Sequence, residues 1–368
     1  MIKKLFKVML FISVFTFYSV FSQTKSENIV QIAILLDTSS SMSGLINQAK
    51  SQIWKIVNEL SLGKRNGETP SIEVALYEYG KDSLSKKSGF IRKIVNLTTD
   101  LDLLSDELFK LKTYGGQEYC GMVIEKAVNQ LEWKKSNNTL KIIIIAGNEP
   151  FNQGSVSYKK SAKYAISKGI IINTIFCGNN RQGIRTYWQD GANLADGSYM
   201  SINHNKKYTY IKAPQDDEII RLGNELNKTY ISYGLEGRQK KEMQKKQDIN
   251  AKTAGESSIV QRTITKSKRQ YNNKKWDLVD AVNDEEINLN IISKTKLPSI
   301  MRNMSKAERK KYIENLKIKR KKIQEKIKKL NIERKKFLKN KIKNNKNTFD
   351  SAIIKVIKKQ ASLKKYKF

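Results

Sequence analysis

Two stretches of this chain are apolar almost without a break: Ile29 to Leu36, interrupted only by Gln31, and Leu140 to Ala146, which carries four consecutive isoleucines. Runs of this kind lack helical spacing and read as strands buried on both faces. Ile170 to Cys177 has the same character. Between these runs the spacing changes to that of a helix. Leu45–Leu60 places Ile46, Ala49, Ile53, Ile56, Val57 and Leu60 on one stripe. Leu101–Leu111, Cys120–Leu131 and Tyr158–Ser167 follow suit, the last stopped by Gly169. Ser71–Tyr77 alternates as a strand, Ile91–Leu97 reads as a shorter antiparallel edge strand, and Ser198–Asn203 as a very short one. Asp216–Tyr230, with Ile219, Ile220, Leu222 and Leu226, reads as the helix that closes this region. Buried strands separated by helices need crossover connections. The expected fold class is therefore α/β over residues 28–233: a doubly wound, mostly parallel sheet with helices on both faces.

The pattern changes after this region. From Gly237 to about Asp280 the chain is polar and poor in apolar residues, so 237–297 is expected to be a linker. Trp276, Leu278 and Val279, and then Ile287–Ile292, are short islands that can order within it. Leu297-Pro298 marks a break, and residues 298–368 read as a Lys-rich helical tail. Ser305 and Glu308 fit a capping box at the start of a long helix free of Gly and Pro to about Lys343. Leu316, Ile323, Leu330 and Phe337 recur every seventh residue, while the companion position alternates Ile313, Arg320, Ile327 and Arg334. So thin a seam allows a coiled coil or a single helix lying on another surface. Asn344–Thr348 reads as a turn, and Phe349–Leu363 as a second amphipathic helix able to fold back on the first.

Charge and the chain's start sharpen this outline. The net charge is +35, of which roughly +9 falls on residues 1–235 and roughly +26 on residues 236–368. The basic character belongs to the tail. Lys3, Lys4 and Lys7 precede an apolar run from Val8 to Phe21, the pattern of an export signal over residues 1–22 with cleavage between Ser22 and Gln23. An exported chain in the periplasm, the cell envelope or outside the cell is expected. There, Cys120 and Cys177 either pair as a disulfide or pack as buried thiols. The one histidine, His204, has no evident chemical partner.

The first buried strand runs directly into Asp37-Thr38-Ser39-Ser40-Ser41. Asp37, Ser39 and Ser41 put three hard oxygens on one tight loop, a set suited to Mg²⁺ or Ca²⁺. An Asp-Ser cluster here can also simply cap the next helix. Its position settles the emphasis, because ligands bind open parallel sheets outside the carboxyl ends of central strands. On these residues the chain resembles the von Willebrand factor A (VWA) family, whose metal-ion-dependent adhesion site opens with Asp-x-Ser-x-Ser. The resemblance implies a Thr from a second loop and an Asp from a third. The second loop here is Gly115-Gly116-Gln117-Glu118, so Glu118 is the candidate oxygen donor. The third is Ala146-Gly147-Asn148-Glu149-Pro150, where Gly147 takes the Asp position and Glu149 carries the displaced charge.

Stretches 114–121, 146–151 and 188–197, with Phe349-Asp350-Ser351-Ala352 and the Lys-rich helix before it, are similar to a narrower group of exported bacterial VWA proteins. In the loop from Trp188 to Gly197, the residues Asp190, Asn193 and Asp196 either line the metal rim or serve turns around a Trp188 anchor. The resemblance implies a binding module holding Mg²⁺, Ca²⁺ or Mn²⁺ and engaging a protein that presents a carboxylate. An alternative is a structural, envelope-associated protein whose basic tail binds anionic surfaces. No nucleophile–base–orienter set and no Walker-type loop is present, which argues against an enzyme. The basic charge comes without a motif for sequence-specific nucleic-acid recognition.

Overall fold

The isoleucine-rich runs lie side by side at the centre of a six-stranded sheet. The computed structural model describes residues 28–203, 210–341 and 349–368; the expected export signal, His204 and the expected turn at 344–348 fall outside them. The chain opens with β1 (Ile29–Asp37), α1 (Ser43–Leu60), β2 (Ser71–Tyr79), β3 (Ile91–Thr98), α2 (Leu101–Lys110), α3 (Cys120–Gln130) and β4 (Leu140–Gly147). It continues through α4 (Tyr158–Ser167), β5 (Ile170–Phe176), α5 (Asn180–Arg185), α6 (Trp188–Asn193), β6 (Tyr199–Ser201) and α7 (Asp216–Asn227). The remainder is helical: α8 (Gly237–Thr253), α9 (Glu256–Lys266), α10 (Leu278–Asn283), α11 (Ser299–Arg302), α12 (Lys306–Lys341) and α13 (Phe349–Leu363).

Strand order is β3-β2-β1-β4-β5-β6, and only the edge strand β3 runs antiparallel. This is the doubly wound sheet that the alternation of buried strands and helices predicts. Side chains alternate across a strand, so β1 feeds two cores. Ile32, Ile34 and Leu36 face the side covered by α1 and α2. Ala33 and Leu35 face α3 and α4 with Phe151 and Trp188. Each such Ile or Leu, fully buried, contributes about 1.5–3 kcal/mol.

The helix expected to close this region, α7, packs away from the sheet. The apolar face of α7 (Ile219, Leu222, Leu226) belongs to a separate core with Val260, Ile264, Ile323 and Ile327. It is α13 that lies on the sheet beside α1, where Ile353, Ile357 and Ala361 enter the first core together with Tyr366. The Tyr366 hydroxyl donates to Asn28 at 2.7 Å, and Lys64 and Lys367 form a short antiparallel bridge. The second tail helix therefore folds back onto the sheet domain, not onto α12.

The expected linker at 237–297 instead carries three helices, α8, α9 and α10. Both α8 and α9 pack over α1 and α2 through a buried polar network that counts of apolar residues do not reveal. Arg262 is fully buried, donates to Asp102 at 2.6 Å and to the carboxylate of Asp248, and lies over Trp54 at 4.7 Å. Lys266 Nζ reaches Asp248 at 2.8 Å, and Gln247 donates to Asp106 at 2.7 Å. Buried charges of opposite sign that are also hydrogen-bonded can hold two polar helices in one place.

The capping box forms as expected, with Glu308 accepting from the Ser305 amide at 2.7 Å and Ser305 Oγ from the Glu308 amide at 3.3 Å. The helix it starts, α12, docks on α7 and α10 of its own chain, so the heptad pattern serves an intramolecular surface and not a coiled coil. The arginines that thin the seam are its anchors. Arg320 donates to Asp277 at 2.7 Å and Asp280 at 2.6 Å, and Arg334 donates to Asp216 at 2.6 Å. Among the described residues no helix is long and apolar enough to cross a membrane.

Candidate metal centre

Asp37 ends β1, and the two strands flanking β1 at the sheet's centre bring the rest of the rim to it. β2 sets Tyr79 opposite Asp37 in register, and β4 ends at Gly147. The Asp37 carboxylate is fully buried. Its Oδ1 accepts from the Ser39 amide at 2.7 Å, while Oδ2 has no hydrogen-bond partner. A buried carboxylate oxygen without a partner is costly. Ser39 Oγ lies 3.2 Å from Ser41 Oγ, so the three expected oxygens do gather on one loop.

Glu118, from the second loop, is the other buried carboxyl. Its side chain and that of Asp37 converge over Gly80. Gly80 makes this approach feasible: its φ is +79°, and a Cβ there would stand 2.7 Å from Glu118 Cγ and 2.8 Å from Asp37 Oδ1. Burial pushes the Asp37 carboxyl well above the usual carboxylate range, and the neighbouring Glu118 pushes it further. Glu118 is itself raised, chiefly by burial. Two buried carboxyls side by side suit either a shared proton or a cation.

The third loop behaves differently from the expectation placed on Glu149. Its carboxylate accepts from Gln153 Nε2 at 3.2 Å, and its backbone amide donates to Glu118 Oε2 at 3.3 Å. Glu149 thus orients Glu118 through its main chain. Position 147 has no room for a carboxylate, since a Cβ there would stand 2.6 Å from Tyr79 Oη and 3.2 Å from Asp37 Cβ. Tyr79 fills that space and donates to the Ala146 carbonyl at 3.0 Å. The rim's second carboxylate therefore comes from Glu118.

Asn148, not among the candidate donors read from the sequence, sits at the rim with its Nδ2 3.1 Å and its Oδ1 3.4 Å from Ser41 Oγ. The signal was present, since an amide oxygen is a hard donor beside a loop already suspected of cation binding. Nothing local marks Tyr79, because only the register of β2 against β1 brings it there. Among the described residues no three His, Cys, Asp or Glu side chains form a metal-binding group. The donors here are instead two carboxyls, two hydroxyls and an amide, a set that fits a hard cation.

The two cysteines do not pair. Both are free and buried, Cys177 in the core on the α1 side of the sheet and Cys120 in the core on the other. Burial raises both thiols well above their ordinary value. The loop from Trp188 serves packing. Trp188 is fully buried and donates to the Glu149 carbonyl at 2.8 Å, and Asp190 accepts from Tyr158 at 2.7 Å. Here the turn read at Asp190 is part of α6.

An open, mostly parallel sheet with an Asp-x-Ser-x-Ser loop at the carboxyl end of a central strand defines a doubly wound α/β domain whose candidate site lies at the strand ends. Residues 31–186 match the family model of the von Willebrand factor type A domain, and this stretch is a VWA domain. Such domains are mostly non-catalytic protein-interaction modules and commonly bind a divalent cation. Solved structures similar to it include the following three. BatB, a conserved hypothetical protein from Bacteroides thetaiotaomicron, is 17% identical, covers 47% of this chain and 90% of its own, and gives a TM-score of 0.37. The SpRpn10 VWA domain is 18% identical, with 47% and 87% covered and a TM-score of 0.36. Proximal thread matrix protein 1 from the mussel byssus, with a zinc-occupied MIDAS motif, is 16% identical, with 49% and 43% covered and a TM-score of 0.35. No curated protein matches the chain.

Proposed function

We propose that this protein is an exported binding module whose rim holds a divalent cation, Mg²⁺ or Ca²⁺ with Mn²⁺ as an alternative, and engages a carboxylate on a partner protein. The observation that carries the reading is Asp37 Oδ2, buried and without a partner beside Glu118 and the Ser39–Ser41 pair. A bound cation supplies a positive docking point for a partner's acidic side chain. This chain's own residues prepare for it. The Ser39 amide fixes one oxygen of Asp37 and leaves the other pointing free. Asn148 steers the Ser41 hydroxyl, and the Glu149 amide holds Glu118. Export rests on the charged and apolar pattern of residues 1–22. A non-catalytic role rests on the lack of any nucleophile–base–orienter set in the sequence.

The test is a melting curve of the full mature chain with Mg²⁺, Ca²⁺ or Mn²⁺ against a chelator, for wild type and Asp37→Ala. A ligand bound only by the folded state adds about 2.7 kcal/mol at a hundredfold excess over Kd. A cation-dependent rise in Tm in wild type, lost in Asp37→Ala, supports the reading. Unmoved wild-type curves with all three ions overturn it.

A further inference from the structure

The outer face of α12 answers a different question from the metal rim. Its 36 residues span about 54 Å and carry seventeen Lys or Arg against four Glu. The three arginines, Arg309, Arg320 and Arg334, are all turned inward and buried, so the exposed cations of this helix are lysines alone. At 3.6 residues per turn, Lys311, Ile318, Lys322, Lys329 and Lys336 fall on the side opposite the buried Ile313, Arg320 and Ile327. Ile318 is 45% exposed and Ile332 50% exposed on this outward half, among the lysines. Next to them, α7 and α12 enclose a groove of about 610 Å³. Leu222, Ile318 and Ile323 give it an apolar lining, and Lys319, Lys322, Lys326, Lys329 and Arg221 outnumber Glu225 and Glu325 among its charged residues.

We propose that this face is a docking surface for an anionic lipid bilayer, with α12 lying flat on the headgroups. The helix is held rigidly for this by the buried Arg320 and Arg334 ion pairs on its other side. Lysines act as point charges that suit a diffuse anionic surface, whereas bidentate recognition of single phosphates favours arginine. Exposed isoleucines between the lysines gain nothing from a hydrated polyanion. They gain from the acyl boundary, which lies just beneath the headgroups of a bilayer. These arguments favour a membrane over a nucleic acid or an acidic polysaccharide. The surface shares no residue with the rim at Asp37, so its failure and that of the metal site are separable.

The experiment is co-sedimentation of the full mature chain with phosphatidylcholine vesicles, with and without phosphatidylglycerol, at low and high salt. Binding is expected only to the anionic vesicles and should weaken as salt screens the charges. Each lysine near such a surface is worth about fivefold in affinity, so K322Q/K326Q/K329Q should lose on the order of 100-fold. I318S/I332S keeps every charge and should also weaken vesicle binding. All five positions are exposed, and matching melting curves confirm folding. Equal binding to neutral vesicles, or unchanged binding by either variant, overturns the proposal. So does a wild-type chain that retains duplex DNA or heparin and leaves anionic vesicles in the supernatant.

Discussion

Asn173, in the middle of β5, and Gln360, on α13, exchange two amide hydrogen bonds of 3.0 and 2.7 Å in a fully buried setting. They are 187 residues apart in the chain. The pair ties the end of the tail into the centre of the sheet domain and makes that tail part of the domain's core.

Removing Gln360 leaves Asn173 Nδ2 buried and unsatisfied, while its Oδ1 still accepts from the Ser198 amide. Gln360→Ala should therefore destabilise the fold by about 1–3 kcal/mol in urea unfolding, with an unchanged slope. Deleting residues 349–368 should do far more, because Ile353, Ile357, Ala361 and Tyr366 leave the core that α1 shares. The truncated chain should bind ANS or aggregate where the full chain does neither.

Arg334 and Asp216 form an ion pair at 2.6 Å in which both side chains are buried. Arg334→Met strands the Asp216 carboxylate away from water and should cost about 3–5 kcal/mol. Adding Asp216→Leu should recover part of that loss, since the stranded charge is gone but the Ala213 amide and Tyr210 hydroxyl lose their acceptor. A double-mutant cycle read by denaturant unfolding checks both statements. Additive losses would mean that the two residues are not coupled.

Acid should loosen the outer helices first. Burial alone would raise Glu59, but Lys335 and Lys358 outweigh it and hold the carboxyl at about 2, against an ordinary value of 4.5. For Asp248 burial is likewise outweighed, by Lys266 and Arg262, which hold it at about 2 against 3.8. A depressed folded-state value stabilises the fold above the unfolded-state value. That contribution is lost as pH falls from about 4.5 towards 2. Urea midpoints should drop over this window, and Glu59→Gln should flatten part of the drop. Lys268 works in the opposite range: burial, aided by Lys335, brings it down to about 7 from 10.5. The unfolded chain then binds more protons between pH 7 and 10.5, so this residue makes stability rise with pH there, and Lys268→Met should remove that slope.

Glu118→Gln separates the roles of the two rim carboxyls. It relieves the like-charge contact with Asp37, so without added metal the variant should melt above wild type. The same change removes a hard oxygen donor, so its Tm should rise less than wild type when Mg²⁺ or Ca²⁺ is added. A variant with an unchanged metal response would place Glu118 outside the ligand set.

The doubly wound sheet and the Asp37 loop are legible in the chain because each depends on local pattern, whereas the order of the strands is not. An unbroken run such as Ile142–Ile145 can be buried only as a central strand, and Asp37 follows its strand directly. Other features depend on partners far along the chain, 160 residues for Arg262 with Asp102 and 43 for Arg320 with Asp277. Arg320 reads only as a gap in the heptad seam until Asp277 stands opposite it, and nothing local pairs Arg262 with Asp102. No apolar spacing marks Gly237–Lys266 as helix, because hydrogen-bonded charge and amide groups hold much of it. Glu118 lies 81 residues beyond Asp37, and only the crossing of loops over Gly80 brings the two carboxyls together. Sequence alone determined which segments must leave water, since that is a property of consecutive side chains. Tertiary structure decided which charges meet and that α13, not α7, covers the sheet. Those outcomes depend on distances that no local spacing encodes.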